Sequence, residues 1–135
     1  MALQFSVSVR NARLDAIETA VGASAILKIR TGSAPASTSE ADSGDVLATL
    51  SLPADWMANA ASGSKAKSGT WEDVSADASG TAGHFRIYAS DGTTCHLQGT
   101  ISMAGGGGDM ILDNTNIASG QAVSITSFTL TDGNA

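Results

Sequence analysis

The stretch His84–Met103, HFRIYASDGTTCHLQGTISM, decides the fold class, because it alternates on both sides of an Asp-Gly pair and so reads as a β-hairpin. Phe85, Ile87 and Ala89 alternate with His84, Arg86 and Tyr88 before the turn. After it, Cys95, Leu97, Gly99, Ile101 and Met103 alternate with His96, Gln98, Thr100 and Ser102. A two-residue Asp91-Gly92 loop sets Ile87 opposite His96 and Tyr88 opposite Cys95, mixing polar and apolar residues on both faces. A three-residue loop, Ser90-Asp91-Gly92, pairs Ile87 with Cys95 and Phe85 with Leu97, leaving Arg86 opposite His96 and His84 opposite Gln98. A slip of one residue turns every side chain to the other face, so the second register is the expected one. It places Gly92 at the left-handed position of a type I turn with a G1 bulge.

Strand-like patterns extend outward from this hairpin. Residues 1–10, MALQFSVSVR, alternate Leu3, Phe5, Val7 and Val9 with Gln4, Ser6 and Ser8, which predicts an extended arm. Asn11–Val21 spaces Leu14, Ile17 and Val21 at helical intervals, with Asp15 and Glu18 facing elsewhere and Gly22 as a stop. Ser24–Arg30 reads as a strand carrying Leu27 and Ile29 inward, and Val46–Leu52 as one buried on both faces. Between them TGSAPASTSEADSGD reads as an exposed, turn-rich loop. A second such loop, Met57–Gly69, is bracketed by Trp56 and Trp71, whose indoles are expected to anchor its ends in the core. Gly105–Gly108 reads as a hairpin tip and Met110–Asp113 as a resumed strand. In Gln121–Leu130 the apolar phase shifts between Ile125 and Phe128, which predicts a bulge near Thr126–Ser127. The expected fold is mainly β: an antiparallel β-sandwich or jelly-roll-like barrel with one short N-terminal helix, residues 11–135 forming a single domain behind the arm.

Composition narrows the function classes. The 135 residues are 42% hydrophobic but only 4% aromatic and 15% charged, which leaves a surface of short side chains and turns. A net charge of −6, with the seven Lys and Arg scattered and only Lys65 and Lys67 close together, argues against a nucleic-acid partner. The single cysteine, Cys95, excludes an intrachain disulfide framework. No apolar run approaches the ~18 residues of a membrane span, and no leader pattern opens the chain, so a soluble protein made in a reducing cytoplasm is expected.

Candidate chemistry is sparse. Cys95 and His96 adjoin in sequence, but strand alternation points them to opposite faces, so they do not form a nucleophile–base pair. The register puts His84 and His96 together on the polar face, read as surface histidines rather than metal ligands. Gly105-Gly106-Gly107-Gly108-Asp109 lacks the Lys-Ser/Thr and following helix of a phosphate loop. Asp109 with Asp113, or Asp73 with Asp77, matches a glycosidase carboxylate pair only in residue type, and turn positions explain these residues without catalysis. The expectation is a binding or assembly module with no enzymatic activity, cofactor or metal.

The segments RNARLDAIETAVG, AILKIRTGSAP, GTAGHFRIYASDGTT and DMILDNTNIASGQAVSITSFTLTDGNA, in that order, resemble small virion structural proteins of tailed bacteriophages and prophages. The resemblance implies a capsid decoration (cement) protein, made in the host cytoplasm and seated on the outer surface of the head. Its implied partners are the major capsid protein and further copies of itself, as a dimer or trimer. The implied contact residues are Leu3, Phe5 and Val7 of the arm, with Trp56, Lys65 and Lys67 at the second loop. A neck, tail or fibre-associated component is the alternative within virions. A host-surface carbohydrate-binding module is the alternative of another class, and it requires Trp56, Trp71 or Tyr88 at the surface for sugar stacking.

Overall fold

The computed structural model describes residues 3–132. One helix, α1 (Val7–Val21), precedes nine strands: β1 (Ile26–Thr31), β2 (Val46–Ser51), β3 (Ser64–Ala66), β4 (Glu72–Asp73), β5 (Gly80–Tyr88), β6 (Cys95–Met103), β7 (Met110–Leu112), β8 (Asn116–Ile117) and β9 (Val123–Thr131). The fold is mainly β and barrel-like, as the strand patterns predict. A single sheet in the order β2-β1-β5-β6-β7-β9-β3 curls into a half-barrel, with β4 on β9 and β8 on β5. All pairings are antiparallel except β6 with β7.

The inner face of the curl holds the core. Leu27, Ile29, Leu50, Ile87 and Met57 are fully buried, and the aromatic rings form a chain across it. Trp56 meets Trp71 at 5.9 Å, Trp71 meets Phe128 at 5.7 Å, and Phe128 meets Phe85 edge-on at 5.5 Å. Trp56 Nε1 donates to the Gly22 carbonyl, and Trp71 Nε1 is shared between the Trp56 and Ser68 carbonyls, so the indoles do anchor the ends of the second loop. The bulge predicted in the last strand falls at Thr126: Ile111 pairs with Ser127, but Leu112 pairs with Ile125. A second bulge, at Leu47, lets Leu47, Ala48 and Leu50 all turn inward although β2 is an edge strand.

Three expectations are corrected. The arm is shorter than residues 1–10. Ser6 caps α1 by accepting the Val9 N–H on its hydroxyl, so the helix begins at Val7 and only Leu3–Ser6 remains outside it. Met1 and Ala2 lie outside the described residues. Asp15 and Glu18 lie off the apolar stripe as expected, and both reach Lys65. The hairpin loop is longer than three residues. Tyr88 pairs with Cys95, the pairing rejected on side-chain parity, and an extra residue at His96 restores parity, so that Ile87 meets Leu97 and Phe85 meets Gly99. Asp91 explains the longer loop, since its carboxylate accepts the Thr93 and Thr94 N–H groups and the Thr94 hydroxyl. These bonds, with the Thr94 hydroxyl foremost, hold the Asp91 carboxyl far below the usual carboxylate range. Gly92 is left-handed as expected, at φ 71°.

The glycine run is not a hairpin tip, because β6 and β7 run parallel with only six residues between them. A parallel connection ordinarily needs a dozen or more. Here the chain doubles back flat against β6. A Cβ on Gly108 would stand 2.6 Å from the Ser102 nitrogen, and one on Gly106 would stand 2.7 Å from the Ser102 Cβ, so side chains are excluded there.

Candidate functional site

The polar loop between β1 and β2 is a strap across the outer face of the sheet. That face carries Lys28 and Arg30 on β1, with His84, Arg86 and Tyr88 on β5, and four of these five are buried. The strap meets them mainly with main-chain oxygens, although Arg30 Nε and His84 Nε2 are buried without a partner. Arg86 donates to the Thr38 carbonyl at 2.8 Å and to the Glu40 carbonyl at 3.2 Å, Arg30 to the Gly44 carbonyl, and Gln98 to the Pro35 carbonyl at 2.7 Å. The His84 ring nitrogen Nδ1 lies 2.9 Å from the Gly32 carbonyl oxygen. His84 is therefore buried beneath the strap rather than on the surface, whereas His96 is exposed.

Asp42 is the strap's one carboxylate on the two arginines. It accepts from Arg86 Nη1 at 2.6 Å, from the Tyr88 hydroxyl at 2.6 Å and from Arg30 Nη2 at 3.0 Å. Partial burial works against its charge, but the Tyr88 hydroxyl and the two guanidiniums outweigh that and hold its carboxyl below the usual range. Burial, and then the bond to Asp42, push the Tyr88 phenol up to about 12. Beside this cluster, Thr38–Asp42, Arg86 and Thr93–Cys95 line a cleft of about 470 Å³. The Arg86 guanidinium at its base is fully engaged, with Nε on Cys95 Sγ at 3.2 Å and both Nη atoms on the strap. The cleft thus offers a ligand main-chain, hydroxyl and carboxylate groups but no free cation. The Cys95 thiol also reaches the Leu97 carbonyl, and nothing joins it to His96.

The residues implied as contacts separate into two sets. Leu3 is 75% exposed, and Phe5, Val7 and the neighbouring Val9 are exposed as well, so large apolar side chains stand in solvent around the N-terminal end of α1. The Arg13 guanidinium covers one face of the Phe5 ring at 4.8 Å. Trp56 and Lys65, by contrast, are buried at 0% and 1% exposure, so neither is a surface contact of the folded chain. The fold explains both: Trp56 is a core anchor, and Lys65 Nζ sits 2.6 Å from Asp15, 3.0 Å from Glu18 and 3.0 Å from the Ala58 carbonyl. Burial opposes the Lys65 charge, but the two carboxylates raise its affinity for the proton. Lys67 is half-buried, donates to the Gly69 carbonyl and lies over the Trp71 ring at 5.8 Å. The Lys65 loop is bound along the helix, where Asn11, Asp15 and Glu18 accept from the Gly63, Ala60 and Met57 N–H groups.

Sequence reading missed the Asp42–Arg86–Tyr88 cluster. Its one signal was the Arg86–Tyr88 alternation on a strand whose partner, β1, presents Lys28 and Arg30. Three cations on one sheet face require an acidic cover. Among the described residues no group of three or more His, Cys, Asp or Glu side chains is placed to hold a metal ion, and no helix is long and apolar enough to cross a membrane. No family model, curated protein or solved structure matches the chain.

Proposed function

We propose that this chain is a virion structural protein of a tailed phage, a decoration protein that binds the outer surface of the capsid and cements its subunits. The observation that carries the reading is the set of exposed large apolar side chains, Leu3, Phe5, Val7 and Val9, around the N-terminal end of α1. Apolar side chains left in solvent at one end of a domain are suited to contact rather than catalysis. Decoration by many copies makes modest contacts sufficient, since each bound copy raises the effective concentration of the next contact. The partner in this reading is the major capsid protein, with self-association alongside. The sugar-binding alternative loses its platform, because Trp56, Trp71 and Tyr88 are all at 1% exposure or less.

The test is copy number in purified particles, read as band intensity against the major capsid protein. Hundreds of copies support capsid decoration. Six or twelve would move the protein to the neck or tail, and absence from the particle would overturn the virion reading altogether.

A further inference from the structure

The sheet has an opening. β7 bridges β6 and β9 only at Ile101–Met103 and Ile125–Phe128. Beyond it, the stretch of β6 before Thr100 faces Thr129–Thr131 of β9 with no strand between them among the described residues. The two lie two strand spacings apart, about 9–10 Å. The space between them is a cavity of about 410 Å³. Its floor is apolar: Phe85 and Phe128 are buried there, and Leu97 and Leu130 pack on the core beside them. Gly99 keeps it open, since a Cβ at that position would stand 2.8 Å from the Phe85 ring.

Both rims present main-chain groups. Thr100 N–H points away from β5, to the Asp109 carboxylate, so two residues earlier the Gln98 N–H and C=O also point into the slot. On β9 the Phe128 carbonyl and the Asp132 N–H bond toward Lys67 and Gly63 on the far side, so Thr131, between them in phase, turns its N–H and C=O to the slot. A slot with an apolar floor and hydrogen-bonding rims has the recognition chemistry of a missing strand.

We propose that the segment Leu3–Ser6 of a second copy of this chain fills the slot as an added strand, by reciprocal exchange. Leu3 and Phe5 are two residues apart, so in a strand both face the apolar floor while Gln4 and Ser6 face solvent. The segment is uncharged. So is the slot, apart from Asp109, which is already bonded to the Thr100 N–H and hydroxyl. The segment also starts beside the slot's end: Arg10 Nε donates to the Asp132 carbonyl and Arg13 pairs with the Asp132 carboxylate, one residue beyond Thr131. A two-fold axis at that point lets two copies exchange arms over a short span, giving an isologous contact. Two exchanged arms, with the slots they fill, bury on the order of 1,200 Å², the lower end for a stable interface. The exchange holds whether or not the protein sits on a capsid.

The test is light scattering coupled to size exclusion over a concentration series, on the full chain and two variants. Thr131→Pro removes an N–H that faces the slot and leaves the ladder to β3 intact; Leu3→Asp changes a residue 75% exposed and keeps the fold if Thr131→Pro does not. The expected result is a dimer whose dissociation constant rises about 10- to 100-fold in Leu3→Asp, with an unchanged circular dichroism spectrum. A wild-type monomer throughout, or a dimer that tolerates Leu3→Asp, overturns the proposal.

Discussion

The two long small-residue loops are alike in composition, and each covers a buried cation, yet they are held in opposite ways. In the strap, the cations belong to the sheet and a single loop carboxylate, Asp42, serves Arg30, Arg86 and Tyr88 together. In the Met57–Gly69 loop the cation belongs to the loop itself, and the helix supplies two carboxylates. That second loop is also held by two indoles, by a bridge between Met57 and Lys67, and by Asp15 and Asn11 accepting from the Ala60 and Gly63 N–H groups. The strap draws its counter-charge from one carboxylate and the other loop from two, so they should fail differently.

Asp42→Ala is expected to show the largest effect, because it leaves two guanidiniums beneath the strap without their counter-charge. The loss is about 2–3 kcal/mol by denaturant unfolding, below the full penalty of a buried pair because the Asp42 side chain is 40% exposed. A loss no larger than that of Asp15→Ala would break the contrast. Tyr88→Phe comes next, at about 1 kcal/mol, since it removes one hydrogen bond to Asp42. Asp15→Ala is expected to cost less than Tyr88→Phe, because Glu18 and the Ala58 carbonyl still hold Lys65. Leu3→Ser should leave monomer stability within about 0.5 kcal/mol, as its side chain is largely in solvent.

Titration sharpens the same contrast. Tyr88 ordinarily loses its proton near 10.0 and does so here at about 12, so the folded state holds that proton more tightly. Its contribution is intact below pH 10 and disappears as pH rises toward 12. Thermal melts across that window should fall more steeply for the wild type than for Tyr88→Phe. Asp15 and Asp42 run the other way. Both lie below their ordinary value of 3.8, so their contributions are present above it and are lost as pH falls through their lower folded values. Melts between pH 4 and 2 should therefore fall less steeply in Asp42→Ala.

Much of the scaffold was legible because local chemistry and tertiary packing agree there. Leu27 and Ile29 alternate inward, Thr126 marks the bulge, and two indoles with few other aromatics had to be anchors. The helix start was not legible, because Val7 and Val9 continue a strand alternation while the Ser6 cap acts on the backbone. The hairpin register was misread for a related reason: side-chain parity ranked the turns, but Asp91 chose the loop by binding main-chain N–H groups. The strap was unreadable as a cover because its carbonyls, which carry no sequence information, do most of the binding. Of the implied contacts, the arm residues are exposed, Lys67 is half-buried, and Trp56 and Lys65 are buried.

The bond from Arg86 to Cys95 puts the lone thiol within reach of the strap's main arginine. Cys95 is only partly buried and lines the cleft beside Thr38–Asp42, with its sulfur engaged by Arg86 and the Leu97 carbonyl. A thiol reagent can therefore reach it in the folded protein. The adduct displaces the Arg86 Nε bond while leaving both Nη atoms on the strap, so alkylation of the native protein, with no label introduced, measures what the sulfur adds to holding that arginine.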